Sequence, residues 1–267
     1  MDKIGLIAGN RKFPFIFAEG ARKQGLKVVA VAIKGDTSPL LRSHVDKLYW
    51  VGLNELNKMI RIFKDEGIAD IVMAGQVSPA RIFSKELYRD EEIKKLLDSI
   101  EDKRPDKIFG AIAKRLEDSG FRLLDSTTFI KDYLPGKRTL TKLDPDFALW
   151  EDIYFGMAIA KAVAHLDIGQ TVAVRSKAIV AVEALEGTDN LIRRAGSIAR
   201  GGITVVKVSK PKQDMRFDIP VVGLNTIKNL IRAGGRCLAI EADKTLFIDR
   251  EKSVRLADKK GICIVAV

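Results

Sequence analysis

IGLIAGNRKFPFIFAEGARKQGLKVVAVAI, residues 4–33, decides the fold. Ile4–Ala8 is an apolar run that ends at Gly9. A helical stretch follows to about Gln24, with Pro14 suited to its first turn and Gly25 to its stop. Lys27–Ile33, KVVAVAI, is a second apolar run. Strand, glycine turn, helix and strand make a βαβ opening. The turn lacks a full G-x-G-x-x-G, and no acidic residue closes the second strand as a ribose ligand would. A nicotinamide dinucleotide is therefore disfavoured, and looser nucleotide binding remains open.

The pattern continues outward. Lys47–Val51 reads as a strand. Leu53–Glu66 reads as a helix with Leu56, Met59, Ile60 and Phe63 on one stripe. Ala69–Ala74 is a fourth strand, ending in the polar turn GQVSP at Gly75–Pro79. Ligands of open α/β sheets sit at that edge, so Gly9, Asn10, Gln76 and Ser78 are candidate substrate contacts. A charged helix over Arg81–Arg104, a helix from Pro105 to about Ser119 and a strand at Phe121–Asp125 complete the expected α/β fold of this half. It is a Rossmann-like parallel-sheet N-terminal domain over residues 1–132.

After a crossover at Asp125–Thr141 the rhythm changes. A helix runs from Asp146 to about His165, with a broad apolar surface at Trp150–Val163 that also suits a homodimer contact. Thr171–Val174 and Ala178–Glu183 form a hairpin-like pair, and Thr188 or Asp189 caps a helix to Ala199. Strands at Gly202–Val208, Arg236–Glu241, Thr245–Ile248 and Ile262–Val267 alternate with helices at Leu224–Ala233 and Asp249–Lys260. This predicts a mixed α/β C-terminal domain over residues 133–267.

The 267 residues are 46% hydrophobic and carry a net charge of +11. That composition supports packed cores and favours anionic partners. No interleaved aromatic–basic strand is visible, so nucleic acid is not expected as a partner. No run of eighteen apolar residues suggests a spanning helix, and no secretory leader is expected. Cys237 and Cys263 read as buried thiols of a cytoplasmic protein.

The chemistry concentrates in KVSKPKQDMRFDIPVVG, Lys207–Gly223. Read as an extended piece, Asp214, Arg216 and Asp218 share one face, with Met215 and Phe217 on the other. Two histidines in no motif exclude a Ser-His-Asp site and a zinc hydrolase. Carboxylates and bases remain. Mg²⁺ takes oxygen ligands, often one or two carboxylates plus substrate phosphate. Glu183, Glu186, Asp189, Asp214 and Asp218 are thus candidate metal ligands or water-orienting groups. Lys210, Lys212, Arg193, Arg194 and Arg216 are candidate phosphate holders.

Gly169–Gly196 (GQTVAVRSKAIVAVEALEGTDNLIRRAG) and Lys210–Gly223 (KPKQDMRFDIPVVG) resemble the LpxI-type UDP-2,3-diacylglucosamine pyrophosphatases. So do GLIAGNRKFP, GQVSP and GKRTLTKLDPD at Gly136–Asp146. Where that family often has a second glycine in the first turn, this chain has Arg11. The resemblance implies hydrolysis of UDP-2,3-diacylglucosamine to 2,3-diacylglucosamine 1-phosphate (lipid X) and UMP in lipid A biosynthesis. It also implies Mg²⁺ dependence and water attack at the α-phosphorus. The family's essential aspartate carries over to Asp214 first and Asp218 second. Glu183, Glu186 and Asp189 carry over as motif positions, and Asp214 with these three forms the expected metal set. Thr188, Arg193, Arg194, Lys210, Gln213 and Arg216 join the expected substrate contacts. The acylated substrate and positive charge together predict peripheral association with an anionic surface, the cytoplasmic face of the inner membrane. A non-catalytic nucleotide-sugar or lipid-binding module is the alternative.

Overall fold

A parallel sheet is covered on both faces, so its strands are runs of apolar residues. Lys3–Ala8 (β1) and Lys27–Ile33 (β2) follow that rule, each exposing only its first lysine. Between them, Phe13–Lys23 (α1) carries Pro14 in its first turn and Arg22 and Lys23 in its last, where cations suit the helix dipole. The computed structural model describes residues 2–78, 81, 90–101 and 104–267. Contacts divide these residues into two units. Unit one is Met1–Lys131 with Asp214–Asp218, and unit two is Asp132–Gln213 with Ile219–Val267.

Unit one continues with Lys47–Val51 (β3), Leu56–Asp65 (α2), Asp70–Ala74 (β4), Glu91–Asp98 (α3), Pro105–Asp118 (α4) and Arg122–Leu123 (β5). Leu56, Met59, Ile60 and Phe63 form the buried stripe of α2, as the periodicity predicts. Each such side chain contributes roughly 1.5–3 kcal/mol by leaving water. The strands pair in the order β3-β2-β1-β4-β5, all parallel. Strand order reverses at β1, so the carboxyl ends of β1 and β4 flank the switch point of the sheet. Of the charged helix expected over Arg81–Arg104, the described part is α3; residues 82–89, 102 and 103 lie outside the described residues, as does Pro79 of the GQVSP turn.

Unit two has Arg138–Thr139 (β6), Phe147–His165 (α5), Thr171–Arg175 (β7), Ala178–Val182 (β8), Thr188–Ala199 (α6) and Thr204–Lys207 (β9). Val221–Val222 (β10), Leu224–Arg232 (α7), Cys237–Ile240 (β11), Leu246–Phe247 (β12), Arg250–Lys259 (α8) and Cys263–Ala266 (β13) follow. The main sheet has the order β6-β13-β11-β9-β7-β8. β9, β11 and β13 are parallel, whereas β6, the β7 pairings and β8 are antiparallel, which makes the sheet mixed. Its residues alternate between two apolar layers. Val172, Val174, Val206, Cys237, Ala239 and Val265 meet α5, while Ala173, Val205, Leu238, Ile240 and Ile264 pack with residues of α6, α7 and α8. Cys237 and Cys263 are register partners in this core, both free and buried. Among the described residues no helix is long and apolar enough to cross a membrane.

Arg11 has φ of 67°, in the left-handed region that costs a residue with a Cβ on the order of 1–2 kcal/mol. Arg11→Gly is expected to raise unfolding stability by about 1 kcal/mol, read by urea denaturation. An unchanged or lower midpoint would mean that the arginine side chain holds the turn.

Candidate functional site

The segment Asp214–Asp218 is a turn, not the extended piece expected from its alternation. The Phe217 and Asp218 N–H groups donate to the Asp214 carbonyl at 3.3 and 3.0 Å. The cause is local: Asp214 Oδ1 accepts the Arg216 N–H at 3.1 Å, the Asx-type contact by which aspartate closes a turn. Asp214 and Arg216 therefore face each other. Arg216 Nε lies 2.9 Å from Asp214 Oδ1 and Nη2 lies 2.7 Å from Oδ2. Arg216 Nη1 also reaches Glu117 Oε1 at 2.5 Å. The guanidinium holds the Asp214 carboxyl below its ordinary value of 3.8, against the partial burial that pushes it up. Arg216 is raised in turn, chiefly by Asp214, and stays protonated.

Ser126 anchors this turn. It is fully buried, its N–H donates to the Met215 carbonyl at 2.9 Å, and its hydroxyl lies 2.7 Å from the Arg216 carbonyl and 2.6 Å from that of Met73. Phe217 packs on the core of unit one, 6.2 Å from the Phe109 ring. Sequence reading placed Ser126 in a crossover. Its partners lie 53 and 90 residues away, and no local pattern announces them.

At the switch point two loops are stitched together. The Gly9 N–H donates to the Ala74 carbonyl and the Asn10 N–H to that of Gln76, both at 2.8 Å. A Cβ on Gly9 would stand 2.7 Å from the Gln76 carbonyl oxygen, and one on Gly75 the same distance from that of Asn10. Only glycine fits both places. The Gly9 and Asn10 amides are thus turned to the neighbouring loop. What the switch point offers is the Asn10 side chain, whose Oδ1 is buried and accepts no hydrogen bond. The Ser78 N–H donates to Asp36 Oδ1 at 3.1 Å, and Asp36 also pairs with Arg81 at 2.7 Å.

In unit two, Lys210 and Gln213 close a turn, with the Lys210 N–H 2.7 Å from Gln213 Oε1 and its ammonium 3.2 Å from Asp167. Glu186 pairs with Arg194 at 2.5 Å and accepts the Ala184 N–H at 2.9 Å. Burial pushes its carboxyl up, and Arg194 with that N–H brings it below the ordinary 4.5. Arg193 bonds the Asn190 side chain and the Asp189 carbonyl, one turn back on α6. Both arginines are thus committed locally. Glu183 differs: it is buried, Oε1 accepts the Thr188 hydroxyl at 2.8 Å, and Oε2 accepts nothing. Close approach holds it in place, since a Cβ on Gly169 would stand 2.0 Å from the Glu183 carbonyl oxygen.

A neighbouring carboxylate, Glu241, is fully partnered. Its Oε2 accepts from Lys161 Nζ at 2.6 Å, the Ser209 N–H at 2.7 Å and the Ser209 hydroxyl at 2.8 Å. Burial pushes the carboxyl up, but these donors and Lys244 together hold it at about 2, down from 4.5. Sequence reading missed Glu241, Lys161 and Ser209, because a carboxylate ending an apolar strand carries no signature of its own.

The donors fit a magnesium ion only sparsely. Among the described residues no group of three or more histidine, cysteine, aspartate or glutamate side chains is arranged to hold a metal. Asp214 stands as a single carboxylate, which suits an ion that keeps waters and takes phosphate oxygens. Glu183 has the Lys207 ammonium 3.8 Å away, which disfavours a second cation there.

Two family descriptions cover the chain: the LpxI N-terminal domain matches residues 3–133 and the LpxI C-terminal domain matches residues 136–265. A UDP-2,3-diacylglucosamine pyrophosphatase LpxI from Caulobacter vibrioides is 29% identical, over 100% of this chain and 98% of the relative. Among solved structures, N5-carboxyaminoimidazole ribonucleotide synthetase from Thermotoga maritima aligns over 70% of this chain and 43% of that one, at 16% identity and a TM-score of 0.29. A likeness that low carries no argument.

Two outcomes follow from the geometry. Ser126→Ala removes the single hydroxyl proton that lies between the Met73 and Arg216 carbonyls and is expected to cost about 1–3 kcal/mol of stability, measured by denaturant unfolding. Glu241 has its pKa depressed on folding, so its contribution is complete above pH 4.5 and is lost as pH falls through about 2. Glu241→Gln should lower stability at neutral pH by about 1–3 kcal/mol and flatten the acid limb between those values. An unaltered acid limb would contradict the assignment.

Proposed function

The chain belongs to the LpxI family, and on that premise we propose that it hydrolyses UDP-2,3-diacylglucosamine to 2,3-diacylglucosamine 1-phosphate and UMP in lipid A biosynthesis. Unit one is read as Rossmann-like from its strand order. The observation that carries the site assignment is Asp214, a carboxylate held ionised and fixed in direction by Arg216.

Water attacks the α-phosphorus, a new P–O bond forms, and the bond to the bridging oxygen breaks. UMP keeps the water oxygen, the lipid-bearing phosphate leaves with the bridging oxygen, and the proton lost by the water passes to solvent. A carboxyl held below its ordinary pKa takes a proton poorly near neutrality. Asp214 therefore serves through charge, orienting the water by accepting its hydrogen bond. It is also the carboxylate that would hold Mg²⁺, which when bound neutralises phosphate oxygens. Arg216 positions Asp214, and the Ser126 anchor keeps that pair in unit one. Asp218 shares the turn through its N–H to the Asp214 carbonyl.

Further partners belong to the same reading. α5 exposes Phe147 and Tyr154 at 81% and 62%, with Trp150 stacked on Tyr154. That face supports a homodimer contact, which light scattering checks. The net charge of +11 supports peripheral binding to anionic bilayers of the cytoplasmic leaflet. Failure to sediment with anionic vesicles at low salt would count against it.

Purified protein should release UMP from UDP-2,3-diacylglucosamine with Mg²⁺ and stop in EDTA. Asp214→Asn should lower kcat by about 10²–10³, the scale of losing one aligned electrostatic group. Full activity in both Asp214→Ala and Asp218→Ala would refute the site.

A further inference from the structure

The carboxyl edge of the mixed sheet in unit two holds a polar cluster that the mechanism above does not use. β9 ends at Lys207, which is buried. β7 runs the other way, so its first residue, Thr171, comes to the same edge, and β8 delivers Glu183 there just beyond its last residue. α6 starts beside them with Thr188. Lys207 Nζ donates to the Thr188 hydroxyl at 2.8 Å and to the Thr171 hydroxyl at 3.3 Å. Its nearest carboxylate oxygen, Glu183 Oε2, is 3.8 Å away, too far for a hydrogen bond.

This pair is mismatched in a specific way. A buried ammonium normally satisfies three donors and gains most from a carboxylate at contact distance. Here it settles for two neutral hydroxyls, while a buried carboxylate oxygen beside it accepts nothing. Leaving such an atom unsatisfied costs on the order of 1–3 kcal/mol. The helix end adds a second feature. The N-cap of α6 is Gly187, with φ of 80° and no side chain to bond the first N–H groups. A Cβ placed on it would meet no atom within 4 Å. A helix N-terminus beside an ammonium favours an anion, and the first turn of α6 already carries one carboxylate, Asp189. The orphan Glu183 oxygen asks for an O–H donor.

We infer that this edge binds a phosphate ester that carries a hydroxyl, with Lys207 and the α6 N-terminus holding the phosphate and Glu183 Oε2 accepting the hydroxyl. Thr188 and Thr171 are positioning residues that keep Lys207 aimed at the edge. Under the proposed function, on which the choice of ester rests, both halves of the substrate qualify. The hexose 1-phosphate has hydroxyls on its ring, and the nucleotide has them on its ribose.

Ligand-detected NMR on the full chain tests this with three separate probes: α-D-glucosamine 1-phosphate, UMP and inorganic phosphate. At least one ester should bind more tightly than inorganic phosphate, and Lys207→Met should raise its Kd by about tenfold or more. Lys207→Met leaves Glu183 as an unpaired buried charge and risks unfolding. The double variant Lys207→Met/Glu183→Gln removes both charges and should show the same loss. The ester that responds identifies the half of the substrate seated here. Esters that bind no better than inorganic phosphate, or that bind the folded variants as they bind wild type, overturn the inference. Binding is read without turnover. A failure to release UMP would therefore refute the proposed function and leave this result standing.

Discussion

One buried hydroxyl governs where the Asp214–Asp218 turn can sit. Ser126 holds the backbone of Met215 through its N–H and meets the carbonyl of Arg216 with its Oγ, which also lies against the end of β4 through Met73. Fixing backbone instead of side chain leaves Asp214 and Arg216 free to face each other. Their mutual geometry then depends on the turn alone. Phe217 adds apolar contact with the same unit, so the turn is held by polar and apolar contacts together.

Much of the fold was legible in the residues. Lys27–Ile33 and Lys47–Val51 appear as read, because strands of a covered parallel sheet announce themselves as apolar runs between turn residues. The stripe of α2 was equally plain, since its period is a property of ten consecutive residues. The turn at Asp214 was misread because its charges alternate as they would in an edge strand. What decides it is an Asx contact two residues long and an anchor 90 residues away. Lys207 opens the charged stretch in the sequence, but its pattern gave it no role of its own. A lysine after two valines signals the end of a strand and a move to the surface, yet here it is buried against hydroxyls.

The carboxylates sort by how completely they are answered. Glu241 has donors on both oxygens, and together they outweigh the burial that pushes its pKa up. Glu186 is answered by one arginine and one N–H. Glu183 is answered on one side only. A saturated carboxylate that is also buried, as Glu241 is, is part of the scaffold, whereas Asp214, paired on both oxygens by Arg216, keeps 32% of its side chain exposed and so has a side open to water. A half-answered carboxylate keeps capacity for a partner from outside. The same logic separates Asn10, with its orphan Oδ1, from Gly9, whose amide is already bonded.

The interleaving of the two units has a consequence for how the protein is made. Ser126 leaves the ribosome 90 residues before the carbonyl that completes its bonding. At cellular rates of synthesis that is an interval on the order of ten seconds. For that time the first unit exists without its last five residues, with the seat for Phe217 open beside Phe109. The nascent chain can assemble its first sheet early, yet the Asp214 turn joins it only after most of the second unit has been translated. Acquisition of the turn is therefore a late event in biogenesis, and a chain that stalls before it leaves the first unit without its last segment.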